Sequence, residues 1–433
     1  MTITSGFIRV ALSVSAAAGI LAGCGMPQGA SAGLTGPATR NSSIRMSPLG
    51  QRGSQGEYLY VANNESSEIY AYNVKGNGAL APIAGSPFDN GPGTRSPVSI
   101  AIDPNGKFVY VANNLVGSGA SSISVDAIDA GTGALTPVPG SPFASDNNLA
   151  SVAVDPSGRF VYGIGSSITA FTVDAASGAL TPVAGSPYQK GIDAADGIVD
   201  PNDKFLFVSQ DGGVEVDGSI YAYSINSTSG ALTQVAGSPF DAAGRFTAGI
   251  TTDARGKFVY VANAGSHRVH SRGKQGEWGS VSTFTIGEAS GRLTPVPGSP
   301  LRVPHAGMRP NFLTVTPTAK FVFATSYCCG SSLLTYAANG SAGTLKYVGK
   351  TQGGSGPEGI VVDPTGKFVY VANYFSSNVS AYALNVKSGA LTPVSGSPFA
   401  AGHTGPISVA ACRVTAGTCK PAPETPQSLA STR

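Results

Sequence analysis

The sequence predicts an all-β fold, a seven-bladed β-propeller of four-stranded antiparallel blades, and three observations carry that prediction. Between Glu57 and Ala411 the chain comes close to restating one phrase seven times: Asp-Pro-x-Gly-Lys-Phe-Val-Tyr-Val-Ala-Asn, then Ser-x-Tyr-Ala-Tyr, then Gly-Ala-Leu-Thr-Pro-Val-x-Gly-Ser-Pro-Phe. The period is about fifty residues and each unit reads as short strands, as in a ring of blades. Composition agrees, because 58 Gly and 30 Pro among 433 residues, with 12% charged, describe a turn-dense chain able to bury one large core.

The strands of a blade are named A to D from the axis outwards. Asp-Pro-x-Gly places the residues that a type I turn prefers at its first, second and fourth positions, so it joins A to B tightly. It opens at Asp103, Asp155, Asp200, Asp253 and Asp363, and in worn form at Thr316. The Lys-Phe-Val-Tyr-Val-Ala run is apolar on both faces and rich in β-branched and aromatic residues, as an inner strand between neighbouring blades requires. Alternation returns in strand C, for example Ile69-Tyr-Ala-Tyr-Asn. Gly-Ala-Leu-Thr-Pro-Val turns into the outer strand, and Gly-Ser-Pro-Phe ends it, since proline is tolerated at sheet edges. Blade one lacks its own strand A, and Pro406-Ile-Ser-Val-Ala-Ala supplies it by pairing with Tyr58-Leu-Tyr-Val-Ala. Such closure removes exposed edges.

Residues 1–23 read as a lipoprotein signal peptide, 24–56 as a flexible tether, 57–412 as the propeller and 413–433 as a mostly disordered tail. Arg9 precedes an apolar run too short to span a bilayer, and Leu21-Ala22-Gly23-Cys24 resembles the lipobox of bacterial lipoproteins. The expectation is an exported protein, lipid-anchored through Cys24 in the cell envelope at the outer membrane or periplasmic face. Export favours disulfides. Cys412 and Cys419 flank a short loop after the closing strand and are expected to pair, whereas Cys328 and Cys329 are left unassigned.

A formal charge of +3 is too slight to imply a polyanion partner, and no basic stretch interleaves with aromatics, so nucleic acid is excluded. No cofactor is expected. No metal is expected either, because Cys-x-x-Cys spacing is absent and no carboxylate accompanies the histidines at ligand spacing.

Blade geometry sorts the polar residues by face. Lys107, Arg159, Lys204, Lys257, Lys320 and Lys367 repeat in the A-to-B turns and read as a solvated surface. The opposite face is less repetitive. There the long B-to-C loop of blade five carries His267, Arg268, His270 and Trp278, while His305, Arg309 and His403 lie in D-to-A loops. Arg95, Arg245 and Glu358 are placed in D-to-A loops near the mouth of the central channel. Function on repeat scaffolds usually lives where the repeat breaks. His267, Arg268, His270, Trp278, Arg95 and Glu358 are therefore candidate ligand contacts.

Tyr-Val-Ala-Asn at 60, 110, 260 and 370, preceded in the later copies by Asp-x-x-Gly-Lys, resembles the YVTN-type β-propellers and the related lactonase-like family, whose named member is 6-phosphogluconolactonase. The resemblance spans essentially all of Glu57 to Ala411. It implies the seven-bladed fold and, for the enzyme branch, a Gly-x-Gly-Pro-Arg-His phrase whose Arg and His face the channel. The nearest counterpart, Gly307-Met308-Arg309-Pro310-Asn311-Phe312, has Asn311 and Phe312 at those two positions. The primary expectation is therefore an envelope lipoprotein whose propeller binds a small molecule or another envelope protein without chemistry. The alternative is hydrolysis of an extracytoplasmic lactone, with His305 or His403 as general base and Arg309 or Arg245 stabilising the developing oxyanion.

Overall fold

The computed structural model describes residues 56–94, 96–114, 121–145, 148–212, 216–265, 279–304, 307–326, 330–402 and 405–421. Among them the chain forms seven antiparallel sheets and no helix. In blades two to seven the strands follow sequence order from the axis outwards. Blade two runs Pro97–Ile102, Phe108–Asn113, Ser122–Ile128 and Leu135–Pro137. Its outer edge is split, because a second short piece, Phe143–Ala144, also pairs with strand C beyond the Gly-Ser-Pro turn.

The repeated phrases each have a visible bonding role. The buried carboxylate of Asp200 accepts the N–H groups of Lys204 and Phe205 at 2.7 and 2.6 Å, and Asp253 and Asp363 do the same for Lys257–Phe258 and Lys367–Phe368. Thr316 substitutes its hydroxyl, at 3.1 Å to both Lys320 N and Phe321 N. Hydrogen bonds to a charged acceptor contribute roughly 1.5–3 kcal/mol each. The first Asp of the phrase is thus a turn lock, and its side chain is unavailable for chemistry.

The B strands are buried along their length, as in Phe108–Asn113. Three of their tyrosines stitch one blade to the next. Tyr60 donates to Gly133 O at 2.9 Å, Tyr162 to Gly230 O at 3.1 Å and Tyr370 to Gly78 O at 3.1 Å. Full burial of such a ring contributes about 1.5–3 kcal/mol. Each Gly-Ser-Pro serine accepts a strand C amide, for example Ser86 from Ala71 N and Ser238 from Ala222 N, both at 2.9 Å.

The ring closes in blade one. Pro406–Thr415 pairs antiparallel with Glu57–Asn63, setting Tyr58 opposite Cys412 and Tyr60 opposite Ala410. Of the segment after 412, expected to be mostly disordered, the described residues 413–421 form strand and turn. The strand runs on to Thr415, turns through Ala416 and Gly417, and returns as Thr418–Pro421. Both turn residues have positive φ, 52° and 82°, the conformation that a two-residue hairpin with the twist of its strands demands. Cys412 and Cys419 are joined by a disulfide, with Cα atoms 5.3 Å apart. The hairpin docks on blade two, where Cys419 N donates to Gly106 O at 3.2 Å. A Cβ at Gly106 would fall 2.1 Å from Cys419 O, so only glycine permits this approach.

Candidate active site in the channel

The seven A strands surround a central cavity of about 630 Å³. Lys420 and Pro421 of the carboxy-terminal hairpin contribute to its lining at the end where the A-to-B turns lie. Its wall mixes apolar and polar side chains, and four of the polar ones fall at a repeated place.

That place is the third residue of each A strand. Ser408, Ser99, Ser151 and Asp196 occupy it in blades one to four. Ser408 Oγ accepts Ile100 N and Ser99 Oγ accepts Val152 N, both at 3.3 Å. Ser151 Oγ donates to Asp196 Oδ1 at 2.7 Å, an oxygen that also accepts Gly197 N at 2.8 Å. Ile250 N donates to Asp196 Oδ2 at 3.2 Å. Burial raises the Asp196 pKa, and these hydrogen bonds oppose the rise. Three donors on one carboxylate mark Asp196 as a strut between blades three, four and five.

The second residue of the A strand carries a different pair. Asn311 in blade six and Glu358 in blade seven immediately precede Phe312 and Gly359 of the cavity wall, and Asn311 Nδ2 donates to Glu358 Oε2 at 2.7 Å. Surrounding protein pushes the Glu358 carboxyl up to about 8, against the pull of the Asn311 hydrogen bond. Close by, Tyr374 donates to Glu65 Oε1 at 2.9 Å. Its own pKa is raised by burial, by Glu65 and by the Glu358 charge. Unlike Asp196, Glu358 receives a single side-chain hydrogen bond among the described residues, and it falls on Oε2, which leaves Oε1 for a further donor. A carboxyl with a raised pKa and one open oxygen can take a proton from water and return it.

The candidates from sequence are distributed unevenly around this pair. Glu358, placed there in a loop, is the second residue of strand Pro357–Val362. Proline at the strand start conceals the boundary, since it reads as a breaker. Arg309 precedes strand Pro310–Val315, its N–H donates to Ser326 Oγ at 2.8 Å, and its Nη2 makes no hydrogen bond among the described residues. Arg245 lies before strand A of blade five with Nε 3.7 Å from Asp217 Oδ1, so its charge is engaged at the blade four–five edge. His267, Arg268, His270, Trp278, His305, His403, Arg95 and Cys24 lie outside the described residues, as do Cys328 and Cys329. Sequence reasoning missed the partnership of Asn311 with Glu358 and the strut at Asp196. The signal available was the alignment of the seven A strands, which puts polar residues at matching places. Among the described residues no group of three or more His, Cys, Asp or Glu side chains is arranged to hold a metal ion.

Comparison with known proteins places this geometry. The sequence matches the family described as "Lactonase, 7-bladed beta-propeller" over residues 50–192, 185–272 and 329–407, more than half of the chain. Among solved structures it is similar to a candidate 6-phosphogluconolactonase from Bacteroides uniformis, with a TM-score of 0.69 and 18% identity over 83% of this chain and 100% of that one. A second candidate 6-phosphogluconolactonase, from Bacteroides fragilis, gives 0.68 and 19% over 83% and 98%. The periplasmic gluconolactonase of Pseudomonas aeruginosa gives 0.64 and 19% over 83% and 99%. At such identities these likenesses show the fold alone. A search of curated proteins returned no match. By its family match and its ring of seven blades, the chain belongs to the lactonase family of seven-bladed β-propellers.

Proposed function

We propose that the protein is a lactonase, and that Glu358 activates the water that opens the ring. The observation that carries this reading is the Asn311–Glu358 pair, a carboxyl raised to about 8 with one side-chain hydrogen bond among the described residues, next in sequence to Gly359 of the cavity wall. The preference for a scaffold without chemistry rested on Asn311 and Phe312 standing where Arg and His were expected. That preference gives way, because the neighbouring blade supplies a base at the matching strand position, and the family match supports hydrolysis.

The step balances on this chain's own groups. The Glu358 carboxylate takes a proton from water as the water oxygen bonds to the lactone carbonyl carbon, and the carbonyl oxygen becomes an oxyanion. Collapse breaks the ring C–O bond, and the proton on Glu358 passes to the departing alkoxide. The products are the hydroxy acid and a regenerated carboxylate. General base catalysis of this kind contributes roughly 10²–10⁴-fold. The favoured substrate is an uncharged, hydroxylated lactone, because the cavity lining among the described residues offers hydroxyls, Asp196 and one cation, Lys420, with no arginine fork for a phosphate. A second element of the proposal is location. The lipobox-like segment at Cys24 supports action in the cell envelope on an extracytoplasmic substrate.

Hydrolysis of gluconolactone and of its 6-phosphate by the wild-type protein, beside Glu358→Gln, tests the reading. Turnover of the neutral lactone, lost in the variant, supports it; absence of turnover above buffer returns the protein to a binding role.

A further inference from the structure

The third residues of the seven A strands divide the channel wall into two unlike arcs. Ser408, Ser99, Ser151 and Asp196 fill blades one to four without a gap. The arc is continuous, because each serine reaches the next blade. Ser408 Oγ lies 3.3 Å from Ile100 N, the residue after Ser99, and Ser99 Oγ lies 3.3 Å from Val152 N, the residue after Ser151. Ser151 Oγ is then 2.7 Å from Asp196 Oδ1. In blades five to seven the same place holds Gly249, Phe312 and Gly359. Both glycines mark close strand packing, since a Cβ would meet Asn311 O at 2.6 Å or Ile407 O at 2.7 Å. Phe312 is thus the side chain of the second arc. It packs on the cluster around Ile360 and lines the same cavity as the four polar residues. In a ring of seven, blade six stands across the axis from blades two and three.

The polar arc is not saturated. A serine hydroxyl has one hydrogen to donate and two lone pairs. Ser408 and Ser99 each accept an amide, and among the described residues no acceptor takes either hydroxyl hydrogen. Asp196 Oδ1 accepts Ser151 Oγ and Gly197 N, while Oδ2 accepts Ile250 N, which leaves Oδ2 a lone pair among the described residues. We infer that this level of the channel is a sugar subsite, in which Ser408 and Ser99 donate to hydroxyl oxygens of the substrate, Asp196 Oδ2 accepts a substrate hydroxyl, and Phe312 packs on the C–H side of the ring. A hydroxyl both donates and accepts, so a polyhydroxylated ring matches two donors and an acceptor on one wall. A hydrocarbon lactone would strip water from them and give nothing back. A few placed polar groups facing an aromatic wall is the composition that fixes a small ligand's orientation. Glu358 immediately precedes Gly359 of the second arc, so the subsite adjoins the proposed base.

The subsite rests on the lactonase reading for the ligand it names, and two substrates separate the claims. Steady-state rates are measured for gluconolactone and for δ-valerolactone, the same ring without hydroxyls, with the wild type and with the double variant Ser99→Ala, Ser408→Ala. The wild type is expected to prefer gluconolactone in kcat/KM by on the order of a hundredfold. In the double variant that preference is expected to shrink roughly tenfold or more, through KM for gluconolactone. Phe312→Leu, which keeps an apolar side chain and removes the ring, is expected to raise the same KM. Wild-type turnover without preference, or a preference unchanged in a variant with a wild-type melting temperature, overturns the subsite and leaves the lactonase reading in place. Gluconolactam, which resists hydrolysis, is titrated by calorimetry as a second measurement. Lactam binding weakened in the double variant, with no turnover of either lactone, retains the subsite and overturns the lactonase reading. Neither turnover nor lactam binding overturns both.

Discussion

Asn311 Nδ2 and Glu358 Oε2 lie 2.7 Å apart, joining the second residues of strand A in blades six and seven. The contact spans 47 positions in sequence, close to one repeat, so two chemically unlike residues at the same place in successive units become partners. Burial raises the carboxyl and the amide donor lowers it. The balance leaves Glu358 near 8, close to the pH at which a general base has most effect.

Hydrolysis depends on the ionised form of Glu358. The rate of lactone opening, corrected for spontaneous hydrolysis, is therefore expected to rise with pH through a midpoint near 8 and then level off. A pH–rate profile checks this, and a midpoint in the ordinary carboxylate range assigns the base elsewhere.

Replacing Asn311 by Leu removes the one interaction that favours the charged carboxylate. The midpoint of the profile is expected to move to higher pH, with kcat near pH 7 falling and the plateau rate largely retained. Asn311→Gln, which can keep a donor, shifts the midpoint less. A variant that loses the plateau as well assigns Asn311 to substrate contact.

Glu57 opens strand B of the seam blade, and its carboxyl is raised from 4.5 to about 8 by burial and then by Asp363, against Arg413 and Lys367. Between those two values the folded protein holds a proton that the unfolded chain releases, so stability falls as pH rises through the window. Melting curves at intervals from pH 4 to 9 measure it. Glu57→Gln is expected to flatten this dependence and to raise the melting temperature at pH 8.

The Cys412–Cys419 disulfide closes a short loop at the seam. Loop-closure entropy for that span gives about 2.5 kcal/mol of stabilisation. Cys412→Ser with Cys419→Ser is expected to lower stability by that order in denaturant titration. In that variant the hairpin has lost its cross-link, and proteolysis is expected to release it from blade two first.

The fold was legible because each repeated phrase names a local interaction. Asp-Pro-x-Gly announces the Asp253 turn lock, and Phe-Val-Tyr-Val-Ala announces a strand buried on both sides. The closing strand at Pro406 followed from counting strands. The hairpin beyond Thr415 did not, since Ala416-Gly417 is a weak turn signal amid residues that look like a polar tail. The site was less legible for a related reason. Glu358 follows a proline and resembles a loop residue, and its pairing with Asn311 depends on how two blades register against each other.

The most direct test of the central claim is the steady-state rate of gluconolactone hydrolysis by the wild-type protein and by Glu358→Gln at pH 8, with melting curves for both. The account predicts wild-type turnover, a loss in kcat of roughly 10²–10⁴-fold in the variant, and a variant at least as stable as the wild type, because a carboxyl that resists ionisation has been replaced by a neutral amide. Equal rates in two folded proteins would contradict the assignment of Glu358 as the base.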